Sequence, residues 1–245
     1  MGLVQLRSGY HPITPSPAVK NKYLAGARIS EAKFRLILRF FAADVPALTV
    51  TKLCAANYRT IYRVYTLLRH RVALLALAES VAKLAGEVEV DESYFGPRRV
   101  RGKRGRGAAG KLPVIGRHKR GAGVHVSVVK DCSRKELLPV IRGHVLSASD
   151  VFTDGWRAYD GLVTAGFAHH RVHHEADEFA RGKTHINGIE SFWSFAKFRF
   201  LKLRGVRRDF FLLHLKGCEW RFNHRGQDLY GLLLKHIRQK PFPAT

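Results

Sequence analysis

Acidic side chains are scarce in this chain: 19 Asp and Glu stand against 43 Lys and Arg, a formal charge of +24 over 245 residues. A surface so poor in negative charge implies a polyanionic partner, with nucleic acid the leading candidate. An anionic membrane is the rival, but no apolar run approaches the roughly 18 to 20 residues needed to span one. The N-terminus also lacks the charged, apolar and small-residue succession of a secretory signal. The expectation is a cytoplasmic, nucleoid-associated protein with no membrane partner. Cysteine is equally sparse: Cys54, Cys132 and Cys218 stand far apart and form no CxxC pair, which excludes a disulfide framework and a zinc ribbon. Thirteen histidines are present. The group His169, His170, His173 and His174 lacks cysteine partners at zinc spacing and reads as a strand facing solvent or phosphate.

Apolar residues make up 46% of the chain, ample for a packed core in one medium domain and one small one. Residues 1–21, with Pro12, Pro15 and Pro17 and no periodicity, read as a flexible arm. From Ser30, Phe34, Ile37, Leu38 and Phe41 recur at helical spacing. Two further amphipathic segments, Thr49 to Ala55 and Tyr58 to His70, are separated by Ala56 and Asn57, with Asn57 suited to a left-handed turn. This is a helix-turn-helix outline. Arg59 and Arg63 on its last helix suit contacts in a DNA major groove; a plain three-helix bundle with a solvated basic face is the alternative. An Ala/Leu-rich helix from Leu67 to Ala85 then leads to a boundary at Gly86.

GEVEVDESYFG, Gly86 to Gly96, alternates Val88 and Val90 with Glu87, Glu89 and Asp91, so a strand with one apolar and one wet face is expected. Pro97 to Lys111 holds six basic residues between Arg98 and Arg106 and cannot build a core. Arg101, Lys103, Arg104 and Arg106 there are candidate phosphate contacts. Leu112 to Gly116 and Val124 to Val129 extend the first strand into an antiparallel meander, in which Arg117 and His118 fit poorly. A helix over Lys135 to Val145 and a short strand from Asp150 to Asp154 follow. Asp154 ends that strand, where an Asp-Gly turn is the structural alternative. Thr184 to Gly205 is the strongest helical pattern, with Glu190 in its first turn and Lys197 and Arg199 further along as candidate DNA contacts. Asn187 and Glu190 have capping-box spacing, so a structural role for Glu190 competes with a chemical one.

The order meander, helix, strand, helix places acids where three carboxylates can converge. Oxygen ligands in that number suit two Mg²⁺ ions, or Mn²⁺ in their place, roughly 3.5 to 4 Å apart, for phosphodiester chemistry. VEVDESYFG, RGKRGRGAAGK, TDGWRAYDGL, EFARGKTHINGIESFW and CEWRFNHR occur in that order. On these motifs the chain resembles the DDE transposases of bacterial insertion sequences, specifically the ISXO-like transposase domain, over roughly Lys22 to Lys235. The resemblance implies Asp91, Asp154 and Glu190 as the metal-binding triad, Lys197 as the basic residue that accompanies it, and an α/β, RNase H-like catalytic domain. The expected layout is an arm at 1–21, an all-α helix-turn-helix domain with its linker helix at 22–85, the catalytic domain at 86–225 and a tail at 226–245. The expected partners are the element's terminal inverted repeats and target DNA, bound by a homodimer. An inactive DNA-binding derivative or repressor, and a metal-dependent structure-specific nuclease, are the alternatives.

Overall fold

The computed structural model describes residues 21–96, 110–172 and 186–243. The basic loop with Arg101, Lys103, Arg104 and Arg106, the residues His173 and His174, and nearly all of the N-terminal arm lie outside them.

The chain divides into two compact units, one formed by residues up to Ile61 with those from Tyr230 onward, the other by Tyr62–Leu229. In the first, α1 (Glu31–Ala42) starts at Ser30, whose side chain accepts from the Lys33 amide, and buries Phe34, Ile37, Leu38 and Phe41 as their spacing requires. Next comes α2 (Ala47–Cys54), closed by Ala55 in the left-handed region at φ 45°. Asn57, the residue expected in that conformation, instead accepts from the Arg59 amide at 2.8 Å and so caps α3 (Tyr58–Glu79). The two helical stretches read from Tyr58 and from Leu67 are one 22-residue helix. Residues 226–245, expected as a tail, carry a helix from Leu229 to Gln239 with Leu233 and Ile237 fully buried. Beyond it Phe242 packs 6.4 Å from the Phe34 ring and pairs its backbone with Leu24.

The second unit is a mixed α/β layer structure. Five strands, β1 (Glu87–Phe95), β2 (Leu112–Lys119), β3 (Val124–Val128), β4 (Asp150–Asp154) and β5 (Ala168–Val172), form a sheet in the order β3-β2-β1-β4-β5. The first three are antiparallel, as the meander predicts; β4 and β5 are parallel to β1. One face packs on α4 (Arg134–His144) through Val88, Val90, Ile115, Leu137 and Ile141. The other lies under α5 (Asn187–Lys202) and α6 (Arg208–Asn223), where Val114, Val126 and Phe152 meet Ile189, Phe192, Leu215 and Phe222. Both faces are covered, so the wet face expected for β1 does not exist: Glu89 is 1% exposed.

The CEWRFN stretch of α6 has a structural use. An edge strand leaves main-chain donors and acceptors unpaired. Along β3 these are met by side chains: Asn223 bonds both the Val124 amide (2.7 Å) and carbonyl (2.9 Å), Glu219 accepts from the Val126 amide (2.9 Å), and Lys216 donates to the Val126 carbonyl (2.9 Å). Residues 216, 219 and 223 share one helix face, so α6 takes the place of a sixth strand. Among the described residues no helix is long and apolar enough to cross a membrane.

Candidate active site

Strand alternation turns Glu89 and Asp91 toward α5, and two glycines let the helix come close. A Cβ on Gly116, which pairs with Asp91 across β2, would lie 2.6 Å from both Ile189 and Trp193. One on Gly188 would lie 2.1 Å from the His118 ring and 2.8 Å from the Glu89 carboxylate. Through that gap the Ile189 amide donates to Glu89 at 2.9 Å, and the Trp193 indole N–H donates to Asp91 Oδ2 at 3.0 Å. The first turn of α5 is thus fastened to β1 at two carboxylates, and its unpaired N-terminal amides favour negative charge there.

Asp154 ends β4. Glu89 pairs with Phe152 in the parallel ladder, and two residues further along each strand come Asp91 and Asp154. Equal offsets in a parallel register put both side chains on the α5 face of neighbouring strands. The electrostatics agree: the Asp91 carboxyl is raised to about 7, first by burial, then by Glu92, with Asp154 adding to it against the Glu92 amide and Trp193 bonds. Glu92, on the opposite side of β1, accepts from the Tyr159 hydroxyl at 2.7 Å; burial and then that carboxylate push the Tyr159 phenol well above its ordinary range. Burial alone would raise Glu89 as well, but His118, the Ile189 amide and Arg120 outweigh it and keep its pKa low.

Glu190 is exposed on the first turn of α5, beside Ile189 and one turn before Trp193. Ile186 occupies the N-cap without a side-chain cap bond and Asn187 lies inside the helix, so the capping box expected from Asn187 and Glu190 is not formed. Lys197 is exposed on the same helix. Among the described residues no three His, Cys, Asp or Glu side chains gather as a metal-holding group; Asp91 and Asp154 are brought together, and Glu190 is not drawn in with them.

Arg199 corrects the expected DNA-contacting set: it is 8% exposed, and its guanidinium reaches the His214 carbonyl (3.4 Å) and the Cys218 sulfur (3.5 Å) between α5 and α6. Arg59 and Arg63 are exposed on α3. His169 meets the Thr153 hydroxyl at 2.9 Å and His170 meets Asp150 at 2.8 Å, so both brace β5 against β4. Arg117 and His118, odd in an apolar strand, serve opposite faces: His118 approaches Glu89 at 3.3 Å, while Arg117 donates to Ser127 at 2.9 Å and feels the charge of Glu219. Sequence reasoning passed over Trp193, Gly116 and Gly188. Glycine inside a strand and in a helical first turn was the available signal, since each is disfavoured there unless a neighbour must come close.

Asp91 has a measurable consequence. A carboxyl held near 7 when folded and near the ordinary aspartate value when unfolded binds more protons in the folded state between those pH values. Ligand-free protein therefore loses stability as pH rises from about 4 to about 7, by on the order of a few kcal/mol from this group. Denaturant midpoints of the parent should start slightly above those of Asp91→Asn at low pH and fall below them as pH rises across that window, since the Asn side chain carries no charge to bury. Mg²⁺ should restore the parent more at pH 8 than at pH 5. Parallel pH profiles would remove the assigned perturbation.

The model of the ISXO2-like transposase domain matches residues 83–223. An uncharacterised transposase-like protein of Haemophilus influenzae is 43% identical over 101 residues, 41% of this chain and 81% of that protein. An uncharacterised protein in transposable element ISH50 of Halobacterium salinarum is 33% identical over 198 residues, 73% of this chain and 66% of that relative. A chain from the simian T-cell lymphotropic virus intasome in complex with PP2A regulatory subunit B56 gamma aligns over 85% of this chain and 78% of its own, at 13% identity and a TM-score of 0.37, too distant to carry an argument.

Proposed function

The chain belongs to the family of ISXO2-like transposase domains, and on that premise we propose that it cuts DNA at the ends of an insertion sequence and joins the freed 3′-hydroxyl to target DNA. The observation that carries this reading is the pair Asp91 and Asp154, set level on neighbouring central strands with Asp91 raised to about 7. Two facing carboxylates repel, and a divalent cation relieves that repulsion. The donors are all carboxylate oxygens, which suits Mg²⁺ or Mn²⁺ rather than a softer metal. Asp91 and Asp154 would hold the ions with Glu190 as third ligand. Bound there, two such ions would supply Lewis-acid activation of the phosphodiester and of the attacking water or 3′-hydroxyl, and charge stabilisation for the leaving oxygen.

The chain's own groups do the rest. Trp193 fixes the Asp91 carboxylate through the 3.0 Å bond and excludes water from its inner side. Lys197, two turns beyond Glu190 on nearly the same helix face, supplies charge for the phosphate. The sheet order, with three antiparallel strands followed by two parallel ones and helices on both faces, supports an RNase H-like catalytic unit. Arg59 and Arg63 on α3 support a helix-turn-helix that reads the terminal repeats, and pairing two ends makes a homodimer the working assembly.

The full chain and a duplex carrying the element's own terminus and flank provide the test. Nicking at the terminus is expected with Mg²⁺ or Mn²⁺, and binding without nicking with Ca²⁺, which tolerates looser coordination than in-line displacement needs. Robust nicking in excess chelator would sink the carboxylate assignment. Terminus-specific binding that never leads to nicking in Mg²⁺ or Mn²⁺ would favour the inactive DNA-binding protein instead.

A further inference from the structure

Beyond Asp91, where β1 ends, the second unit opens into a cavity of about 780 Å³. Its floor is a triad of rings: Phe95, Phe200 and Phe211 lie with centroids 5.3 to 5.6 Å apart. Its rim carries Lys197, Arg204 and Arg208, all exposed and none in an ion pair among the described residues. The floor reaches the carboxylates through contiguous rings, since Phe95 is 6.0 Å from Trp193, whose indole holds Asp91.

Arg204 adds an independent observation. It sits just past the end of α5 in the left-handed region at φ 51°, where glycine is the favoured residue, although Gly205 follows immediately. A non-glycine residue kept in that conformation bears strain, and such strain collects at functional sites. Here the side chain it retains is a cation on the cavity's rim.

An apolar peptide or a lipid chain would use the ring floor and leave three cations without a counter-charge. A paired base would present phosphate to the rim but hide its face in the stack. A nucleotide that is unpaired meets both demands, because its base offers a free π-face to aromatic rings and its phosphate an anion to arginine. We propose that this cavity receives an unpaired nucleotide of the DNA strand processed at Asp91, its base against Phe200 and the neighbouring rings, its phosphate on Arg204 with Lys197 and Arg208. The inference rests on the DNA-processing reading of the Asp91 site and adds to it the handling of a single-stranded segment beside the scissile bond.

The test compares two probes on the full chain in Ca²⁺, so that nothing is cut: a blunt duplex of the element's terminus, and the same duplex with a short single-stranded 3′ extension bearing iododeoxyuridine. Photocross-linking should join the extension to peptides carrying Phe95, Phe200 or Phe211. Arg204→Gly should weaken binding of the extended probe about tenfold, the loss of a charge-assisted contact, leave the blunt probe unaffected, and leave the melting temperature unchanged or higher because the strained residue is gone. Phe200→Leu, which keeps apolar bulk without the ring, should cost a comparable factor through lost stacking. Cross-links that map elsewhere, or an Arg204→Gly variant that binds both probes equally less well or as well as the parent, would overturn the proposal. Cleavage is scored separately, in Mg²⁺: a chain that cross-links in the cavity but never nicks loses the enzyme reading and keeps the cavity, and one that nicks without cross-linking there does the reverse.

Discussion

Asp91→Asn and Asp154→Asn are each expected to reduce strand cleavage by several orders of magnitude, to the limit of detection, while DNA affinity stays level or rises. On the proposed mechanism each substitution removes a metal ligand and one negative charge near the bound phosphate, while the fold's apolar contacts stay intact. The two variants should differ in one respect. Asp91 accepts from both the Glu92 amide and the Trp193 indole, so its Asn variant turns a donor toward one of them; Asp154 accepts from the Trp156 amide. A small stability loss is therefore expected for Asp91→Asn at low pH and little for Asp154→Asn. Gel assays of nicking beside filter binding of the same duplex decide the matter. Cleavage within tenfold of the parent in either variant would strike that residue from the site, and loss of folding would reassign it to structure.

Glu190→Gln carries the second large effect. Ile186, not Asn187, caps α5, which removes the capping box as the reason for a carboxylate at this position. Gln keeps the length and hydrogen-bonding ends of Glu, so the melting temperature should be nearly unchanged. On the proposed mechanism an anionic ligand is lost, and nicking should fall by several orders of magnitude. Lys197→Ala is the control from the same helix: loss of a charge-assisted phosphate contact, roughly 1 to 3 kcal/mol, lowers activity about tenfold to a hundredfold while metal-dependent stabilisation persists. Among the described residues Glu190 forms no metal-holding group with Asp91 and Asp154, so on the proposed mechanism it would have to join them when DNA binds. A Glu190→Gln protein that nicks as well as its parent would move the third ligand elsewhere, with Glu175, Asp177 and Glu178 next in line; those residues lie outside the described ones.

Much of this arrangement was legible in the chain itself because the signals were local. Alternation in GEVEVDESYFG marks β1, three-and-four spacing marks α1 and α5, and the order of the strands follows from patterns a few residues long. The basic character was legible too, since net charge does not depend on how the chain folds.

The misreadings share one cause. Period two shows which residues of β1 share a face but not what is stacked on that face, so Glu89 looked wet until α5 came down on it. The same blindness made Arg199 a surface cation, whereas α6 packs beside it and supplies a carbonyl and a sulfur. His118 looked like a fault in a strand because its partner Glu89 is distant in sequence, and Arg117 because the Ser127 hydroxyl it meets lies on the neighbouring strand.

By itself, then, the sequence settled most of the elements and their order, the basic character and the three candidate carboxylates, but not the helix at Leu229–Gln239, which it read as a tail. Only tertiary structure decided that Asp91 and Asp154 stand level on adjacent strands, that Trp193 reaches Asp91 over Gly116, and that α6 closes the β3 edge with Lys216, Glu219 and Asn223. The physical reason is range: propensity and periodicity act over a few residues, while burial, register and electrostatic coupling belong to surfaces that meet only after some hundred residues of chain have folded back.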